Sequence, residues 1–293
     1  MKAALLIALL AGGIAPVPSE AEEHAQAQPP QEIDLVSETL VVEHKKHRAI
    51  FGGGVVATRG DLEVRCPTVV ASYDQRAKIR EVVCEGPVSA TQGGKTMTSQ
   101  AGSFDNASGM LHLEGGTTLT EAGRRFSGER LDFEVGTSLA TLSRGQADLP
   151  GSGGLGPLQP NDGAPFRITA DKVTHDFDKG RTTFIGNVVA TRGDLTMRAS
   201  RLVVVGAGDG KVERAWTEGG PVRVDQGERH GSAQRGTFVG GGQRLVLEGE
   251  PVVTERESSL RGDRVTFHVG QGRVEVEKPR AVFPLERAKR AGE

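Results

Sequence analysis

The sequence has very few large aromatic side chains and no stretch with helical periodicity. Only one Trp and one Tyr occur among 293 residues, whereas glycine occurs 41 times. No window places apolar residues at the three- and four-residue spacing of an amphipathic helix. The core must therefore rest on Val, Leu, Ile and Phe, and the sequence predicts an all-β fold.

An excess of charge of either sign is also absent. The formal net charge is −2, and arginine and glutamate are interspersed along the chain. A nucleic-acid-binding protein would need a basic stripe, and a membrane-surface protein would need a polybasic segment. The sequence therefore argues against a nucleic-acid partner and against a charged membrane-surface patch.

Motifs for catalysis and for metal binding are lacking as well. The sequence contains no GxxxxGK[ST] loop, no nucleophile elbow and no recurring pair of carboxylates. The pair His44 and His47 has a spacing that two metal ligands could use, but no partner set is evident, so solvated turn residues explain it better. We therefore expect no enzyme activity, no catalytic residue, no metal site and no cofactor.

The N-terminus has the features of a secretory signal. Met1-Lys2 precedes an apolar run from Ala3 to Ala15, which is too short to span a bilayer. Small residues around Ser19-Glu20-Ala21 suit cleavage. We expect a signal peptide over residues 1–21, a flexible tail over residues 22–32 and an exported mature protein. An uncleaved membrane anchor is the alternative.

One octapeptide, VVATRGDL, occurs twice, from Val55 to Leu62 and from Val188 to Leu195. Shorter matches follow in the same order, with Gly128–Phe133 answered by Gly262–Phe267. Ordered self-similarity at a shift that changes by only one residue indicates that the chain is a duplication. The Arg-Gly-Asp inside the octapeptide is better explained as a β-turn than as an adhesion motif.

A finer repeat lies inside each copy, with the spacing apolar-x-small-x-x-apolar. A period-two alternation that changes parity at the small residue is typical of a bulge or a sharp bend. We interpret each unit as a strand that bends at its small residue and is followed by a second alternating run. The sequence therefore predicts about sixteen mostly antiparallel strands. The small positions are Ser37, Cys66, Ser99, Gly128, Ala170, Ala199, Ala233 and Gly262.

Residues 146–165 interrupt this pattern with GSGGLGPLQPNDGAP. Gly, Pro, Ser and Asn without periodicity are typical of a tether, and the glycines lack the strand and helix that would flank a phosphate-binding loop. We expect two domains, over residues 33–145 and 166–278, joined by this Gly/Pro-rich linker. A polar, basic tail is expected over residues 279–293.

The ordered motifs resemble the OstA-like domain of the LptA family. The resemblance is clearest at Ala170–Val173, Phe184–Val188 and Gly262–Val265, and it covers Ile33–Gly145 and Phe166–Lys278. A typical member carries one such domain, whereas this chain carries two. The resemblance implies tandem V-shaped β-jellyrolls whose apolar interior holds the acyl chains of lipid A.

The same resemblance implies a periplasmic protein that binds lipopolysaccharide and shields lipid A acyl chains between the inner and outer membranes. Its partners would be other OstA-like components of the transport bridge, joined by edge-strand addition, or a second copy joined head to tail. Three roles stay open: free bridge, inner-membrane-side receptor, or relative of the translocon's periplasmic domain. The alternative function is a structural β-solenoid or filament-forming exported scaffold without a lipid ligand.

The two cysteines, Cys66 and Cys84, occupy inward positions on strands that flank one turn. A hairpin centred near Asp74–Ala77 brings them nearly opposite each other, and an exported protein meets an oxidising compartment. The sequence predicts a disulfide between them, with two free buried thiols as the alternative.

The inward apolar positions of the units are the candidates for contact with lipid. The same residues would line the core of any jellyroll, so the sequence leaves open whether they surround a groove or a filled core. The candidates are Val64, Met97, Phe104, Phe126, Leu131 and Phe133 in the first copy, and Met197, Leu202, Phe238, Val265 and Phe267 in the second.

Overall fold

The computed structural model describes residues 32–150, 165–206, 212–240 and 243–282, and these residues are mostly in β-strands. Within those ranges there is no α-helix, and nothing could cross a membrane as a long apolar helix. One 3₁₀ turn lies at His44–Lys46. The prediction of an all-β chain is confirmed. The expected signal peptide and most of the expected linker lie outside the described residues.

The strands are numbered in chain order and divide between the two copies. The first copy contains β1 (Asp34–Val36), β2 (Thr39–Glu43), β3 (Arg48–Arg59), β4 (Leu62–Tyr73), β5 (Ile79–Glu85), β6 (Val88–Gln92), β7 (Lys95–Ser99), β8 (Ala101–Asp105), β9 (Met110–Glu121), β10 (Arg124–Glu134) and β11 (Leu139–Leu149). The second copy contains β12 (Phe166–Asp176), β13 (Arg181–Arg192), β14 (Leu195–Gly206), β15 (Val212–Glu218), β16 (Val222–Gln226), β17 (Arg229–Ala233), β18 (Arg235–Val239), β19 (Arg244–Glu248), β20 (Val252–Glu255), β21 (Ser258–Arg261), β22 (Arg264–His268), β23 (Arg273–Glu277) and β24 (Arg280–Val282).

These strands are more numerous than the expected sixteen, because the chain bends sharply enough to interrupt many of them. β7 and β8 are separated only by Gln100, and β17 and β18 only by Gln234. If the strands on either side of each bend are joined, sixteen long segments remain, and eight of them are interrupted at the bend. The expected count therefore describes the segments, and the number of strands was wrong.

The small residue in each unit is explained by the backbone that passes close to it. A Cβ atom at Gly128 would lie 2.8 Å from the carbonyl oxygen of Ser143, and one at Gly262 would overlap the carbonyl oxygen of Glu277. A larger side chain would push the neighbouring segment away. The other set of segments bends through left-handed residues, such as Gly53 with φ 85°.

The bends divide the segments into two layers whose inner faces meet. In layer one lie β2, β5, β8, β15, β18, β19, β22, β23 and the adjoining parts of the long strands; in layer two lie β1, β6, β7, β16, β17, β20, β21, β24 and the remaining parts. Successive segments pair antiparallel within each layer. Rings contact across the gap, as between Phe166 of layer two and Phe238 of layer one, whose centroids are 5.3 Å apart.

The two copies are joined by direct strand pairing. β11 pairs with β12 from Leu139 opposite Asp176 to Leu149 opposite Phe166. Residues 146–149, expected in the linker, are therefore the end of a strand, because their alternation continues inward at Ala147 and Leu149. In the same way residues 280–282, expected in the tail, form β24 on β21. The division into two independently folded domains stays a prediction.

A disulfide joins Cys66 to Cys84, with their Cα atoms 6.0 Å apart. The pairing is the expected one, but the register that suggested it is shifted. Cys84 lies opposite Val69, because an irregularity at Ser72/Tyr73 and a left-handed Ala77 alter the turn. The bond therefore runs diagonally between neighbouring strands, at the bend where β4 changes partner from β6 to β5.

Candidate functional site

The sequence-predicted lipid-facing residues all lie between the two layers, and all are buried. Their alternation places them on the inner face, so the structure brings them into one apolar interior. Whether they contact lipid stays a prediction. The residues are Val64, Met97, Phe104, Phe126, Leu131, Phe133, Met197, Leu202, Phe238, Val265 and Phe267.

Most of this interior is closely filled. Phe126, Phe133 and Phe267 have no exposed surface, and the ring of Phe267 lies so close to Gly231 that a Cβ there would be 3.0 Å from it. Large inward side chains thus meet small residues of the opposite layer. Such packing gives the interior the character of a protein core.

A small apolar cavity interrupts the packing near the N-terminal end of the interior. Its volume is about 30 Å³. Val64 and Phe104 line it, together with Leu111 and the disulfide residue Cys84. Of the predicted lipid-facing residues, only these two adjoin the cavity.

Polar side chains also face inward, along the edge of the layers that lies away from the bends. We call this edge the rim. At the rim Gln92 donates a hydrogen bond to Asp61 over 2.6 Å, and Gln226 donates one to Asp194 over 3.3 Å in the second copy. The two aspartates are the seventh residues of the repeated octapeptide, so its Gly-Asp pair forms the turn and also bonds to the neighbouring hairpin.

His175 is the most deeply buried ionisable group of the rim. Burial lowers its pKa to about 3, with a contribution from the positive charge of Arg124. Its Nδ1 lies 2.8 Å from the Thr182 hydroxyl, and its ring packs 4.9 Å from Phe126 and 4.3 Å from Phe177. The imidazole is therefore neutral at physiological pH and belongs to the apolar interior. Because it lies in the second copy and Phe126 in the first, the interior is continuous between the copies.

The inward direction of the polar side chains at the rim was not predicted from the sequence. Arginine and lysine at strand ends resemble solvated turn residues, and only the strict alternation indicates their direction. Arg124 stands two positions before Phe126, and Lys95 two positions before Met97, so each faces the same side as a buried neighbour. Counting the alternation to the last residue of each strand would have found them.

The described residues contain no cluster of His, Cys, Asp and Glu with the geometry of a metal site. His44 begins the 3₁₀ turn and His47 ends it in the left-handed conformation, where its ring packs against Tyr73 at 5.8 Å. Both histidines therefore belong to a turn.

The first strand of layer one and the last strand of layer two each pair on one side only in the described part of the chain. β2 pairs with β3, and both of its faces are open, so Leu40 and Val41 are each 56% exposed. At the other end β24 pairs with β21, and Val282 is 68% exposed. Unpaired backbone groups beside exposed apolar side chains can accept a further strand.

Comparison with known proteins gives one family and individual relatives. A family model described as "LptA/(LptD N-terminal domain) LPS transport protein" matches residues 34–138 and again 167–273, once for each copy. The lipopolysaccharide export system protein LptA of Haemophilus influenzae is 28% identical over 112 residues, which are 36% of this chain and 65% of that protein.

Among solved structures, the chain is similar to LptH of Pseudomonas aeruginosa, described as the LptA-homologous periplasmic component of a lipopolysaccharide transport device. The identity is 18%, the match covers 39% of this chain and 83% of that one, and the TM-score is 0.36.

Proposed function

The chain belongs to the LptA/LptD N-terminal-domain family of lipopolysaccharide transport proteins, and from this premise we propose that it is a periplasmic lipopolysaccharide-binding bridge protein. In this role it shields the acyl chains of lipid A on their way from the inner to the outer membrane. The family is described by transport and by no reaction, which agrees with the lack of catalytic motifs in the sequence.

The observation that carries the proposal is the continuous apolar interior between the two layers. It runs through both copies, since Phe133 of the first copy packs 6.2 Å from Phe177 of the second. An interior shared by many stacked segments offers a protected route along the chain. A set of separate small cores would not.

Transfer energies suit such a route. Moving one CH₂ from water into an apolar interior is favourable by about 0.8 kcal/mol. Moving it from a bilayer into the same interior changes the free energy little, because both surroundings are apolar. The protein could therefore hold acyl chains without trapping them, and the direction of movement would be imposed by its partners.

Entry requires the layers to move apart, and the N-terminal end is the place that we propose for it. There the cavity beside Phe104 lies next to β1, whose three residues contribute little pairing. The disulfide between Cys66 and Cys84 holds β4 to β5 beside the cavity, so the wall would stay intact while the layers separate.

Partners would join at the sheet edges. The exposed backbone and apolar side chains of β2 and of β24 suit the addition of a strand from another OstA-like component or from a second copy of this chain. Stacking would extend the interior from one molecule into the next.

The proposal is tested by purifying the exported protein from cells that make lipopolysaccharide and extracting it for mass spectrometry. Lipid A bearing its acyl chains should be recovered in a fixed ratio to the protein. Mixing the lipid-bearing protein with a lipid-free carrier should remove lipid A from the protein. Extracts free of amphiphile, from protein that forms filaments, would instead support the exported scaffold.

A further inference from the structure

Five positively charged side chains point inward along the rim of layer two. We call them the cationic rim. Each lies at the end of a strand and faces the same side as an apolar or small residue two positions away. Since strands are ~4.8 Å apart and neighbouring members are two or three strand spacings from each other, the charges follow one another at about 10–14 Å. They are Arg59 on β3, Lys95 on β7, Arg124 on β10, Arg192 on β13 and Arg229 on β17.

The first two members are paired with aromatic rings. The guanidinium of Arg59 lies 5.0 Å from the centroid of Phe104, and Lys95 Nζ lies 4.8 Å from that of Phe177. Within the described ranges of the chain neither makes an ion pair with a carboxylate, and the Nε of Arg59 is buried without a hydrogen-bond partner. The nearby Asp61 is bonded to Gln92.

Such a cation keeps hydrogen-bonding capacity that the ring does not use. A ring face attracts the charge but accepts no directed N–H bond of normal strength. A phosphoryl group supplies several oxygens that match the fork of a guanidinium and the point charge of an ammonium. The chemistry of Arg59 and Lys95 therefore fits a phosphoryl anion that approaches the rim from solvent.

We propose that the cationic rim binds the phosphoryl headgroup of the amphiphile whose acyl chains occupy the interior, an inference that rests on the proposed function. Arg59 lines the N-terminal cavity, so its charge stands at the mouth of the site where chains would enter. An amphiphile with its chains among Val64 and Phe104 would have its headgroup at the height of Arg59. The rim thus selects anionic amphiphiles over neutral ones.

The second copy repeats the arrangement in a more neutralised form. Arg192 occupies the octapeptide position of Arg59 and lies 4.8 Å from the ring of Phe166, and Arg229 takes the place of Lys95. Arg229, however, makes an ion pair with Glu255 at 3.4 Å, and in the first copy Arg124 makes one with Glu121 at 2.5 Å. The affinity for the headgroup should therefore be greatest at Arg59 and Lys95 and weaker further along the chain.

The test compares two detergents that share a twelve-carbon chain, dodecyl phosphate and dodecyl maltoside, with inorganic phosphate as a third probe. Each is titrated into the purified full chain by calorimetry below its micellar concentration. The variant Arg59→Gln/Lys95→Gln removes two inward charges. Its matched control, Arg65→Gln/Arg125→Gln, removes two exposed charges from the outer face of the same layer. Circular dichroism checks that both variants are folded. The variant Lys95→Arg tests whether a positive charge at this position is sufficient for binding.

Dodecyl phosphate should bind the unaltered chain more tightly than the maltoside, and the inward variant should weaken it about tenfold or more. The affinity for the maltoside should change little in the inward variant. The control variant and Lys95→Arg should bind dodecyl phosphate about as tightly as the unaltered chain does. If the inward variant loses affinity for both detergents equally, or for neither, the headgroup site is wrong, but the proposal of a lipid-binding interior is unaffected. Inorganic phosphate binding as tightly as dodecyl phosphate would replace it with a free-phosphate site. If neither detergent binds, the proposed function fails and the headgroup site fails with it.

Discussion

A buried charge should destabilise the chain more at Phe238 than at Phe104, because only Phe104 borders a cavity and a cation. Phe238 is 2% exposed and packs edge-on against Phe166. Removing such a ring costs about 3–5 kcal/mol, and an unpaired buried carboxylate adds to this. Phe238→Glu should therefore lower the free energy of unfolding by at least about 4 kcal/mol, a large part of the stability of an ordinary domain.

Phe104 offers a new carboxylate a partner. It borders the cavity and lies below the guanidinium of Arg59, so Phe104→Glu could form an ion pair at the rim. We expect a loss of about 2 kcal/mol, with the chain still folded and with weaker capture of lipid. The single Trp216 on β15 and the far-UV circular dichroism would follow urea unfolding of both variants.

The matched controls are Phe104→Leu and Phe238→Leu, which keep an apolar side chain at each position. The reasoning is refuted if Phe238→Glu unfolds within about 1 kcal/mol of Phe238→Leu, since the site would then be open rather than packed. It is also refuted if the two glutamate variants lose equal stability.

Three further predictions concern the cysteines, the junction and the buried histidine. The unfolded, unreduced protein should contain no reactive thiol, and reduction should lower the free energy of unfolding by roughly 3 kcal/mol, whereas two thiols would disprove the bond of Cys66 with Cys84. A protease should cut first within residues 151–162 and leave two folded fragments; cutting inside either copy first would show that the copies fold as one unit. The pKa of His175 is about 3 in the folded protein, whereas an unfolded histidine titrates near 6.5. Between these two pH values the histidine is therefore protonated in the unfolded state and neutral in the folded state. Stability should thus fall as the pH drops below about 6.5, by up to about 1.4 kcal/mol per pH unit, and His175→Leu should abolish that slope.

The duplication and its bent strands could be predicted from the sequence because both leave marks in the residues themselves. The small position of each unit exists because backbone passes within contact of Gly128 and Gly262. Because a small residue recurs at the same position of every unit, the bends could be predicted from the sequence. The number of strands could not be predicted, because small rotations of the backbone decide whether a bend interrupts the hydrogen bonding of a strand.

Features set by two distant segments were harder to predict. The offset of Cys84 from Cys66 depends on the left-handed Ala77, which no local pattern marks. The filled interior depends on the distance between the layers, so Phe267 against Gly231 could not be distinguished from a ring facing a groove. The inward direction of Lys95 was hidden by its position next to a turn.

The junction between the copies shows composition and periodicity in conflict. Residues 146–149 adjoin a Gly/Pro-rich stretch, and that composition suggested a tether. Their alternation nevertheless continues β11 and pairs it with β12. Burial of the apolar side chains of Ala147 and Leu149 favours the strand at these positions.

The central claim, that acyl chains travel between the two layers, is tested most directly by photo-crosslinking from inward and outward positions. Benzoylphenylalanine replaces Phe104 and Phe238, which face inward, and in matched controls it replaces Ser103 and Thr237, their outward neighbours on β8 and β18. After irradiation in cells that export lipopolysaccharide, lipid A adducts should form at the two inward positions and be absent from the outward pair. Adducts at the outward positions alone, or none at any inward position of a protein that still co-purifies with lipid, would contradict the account.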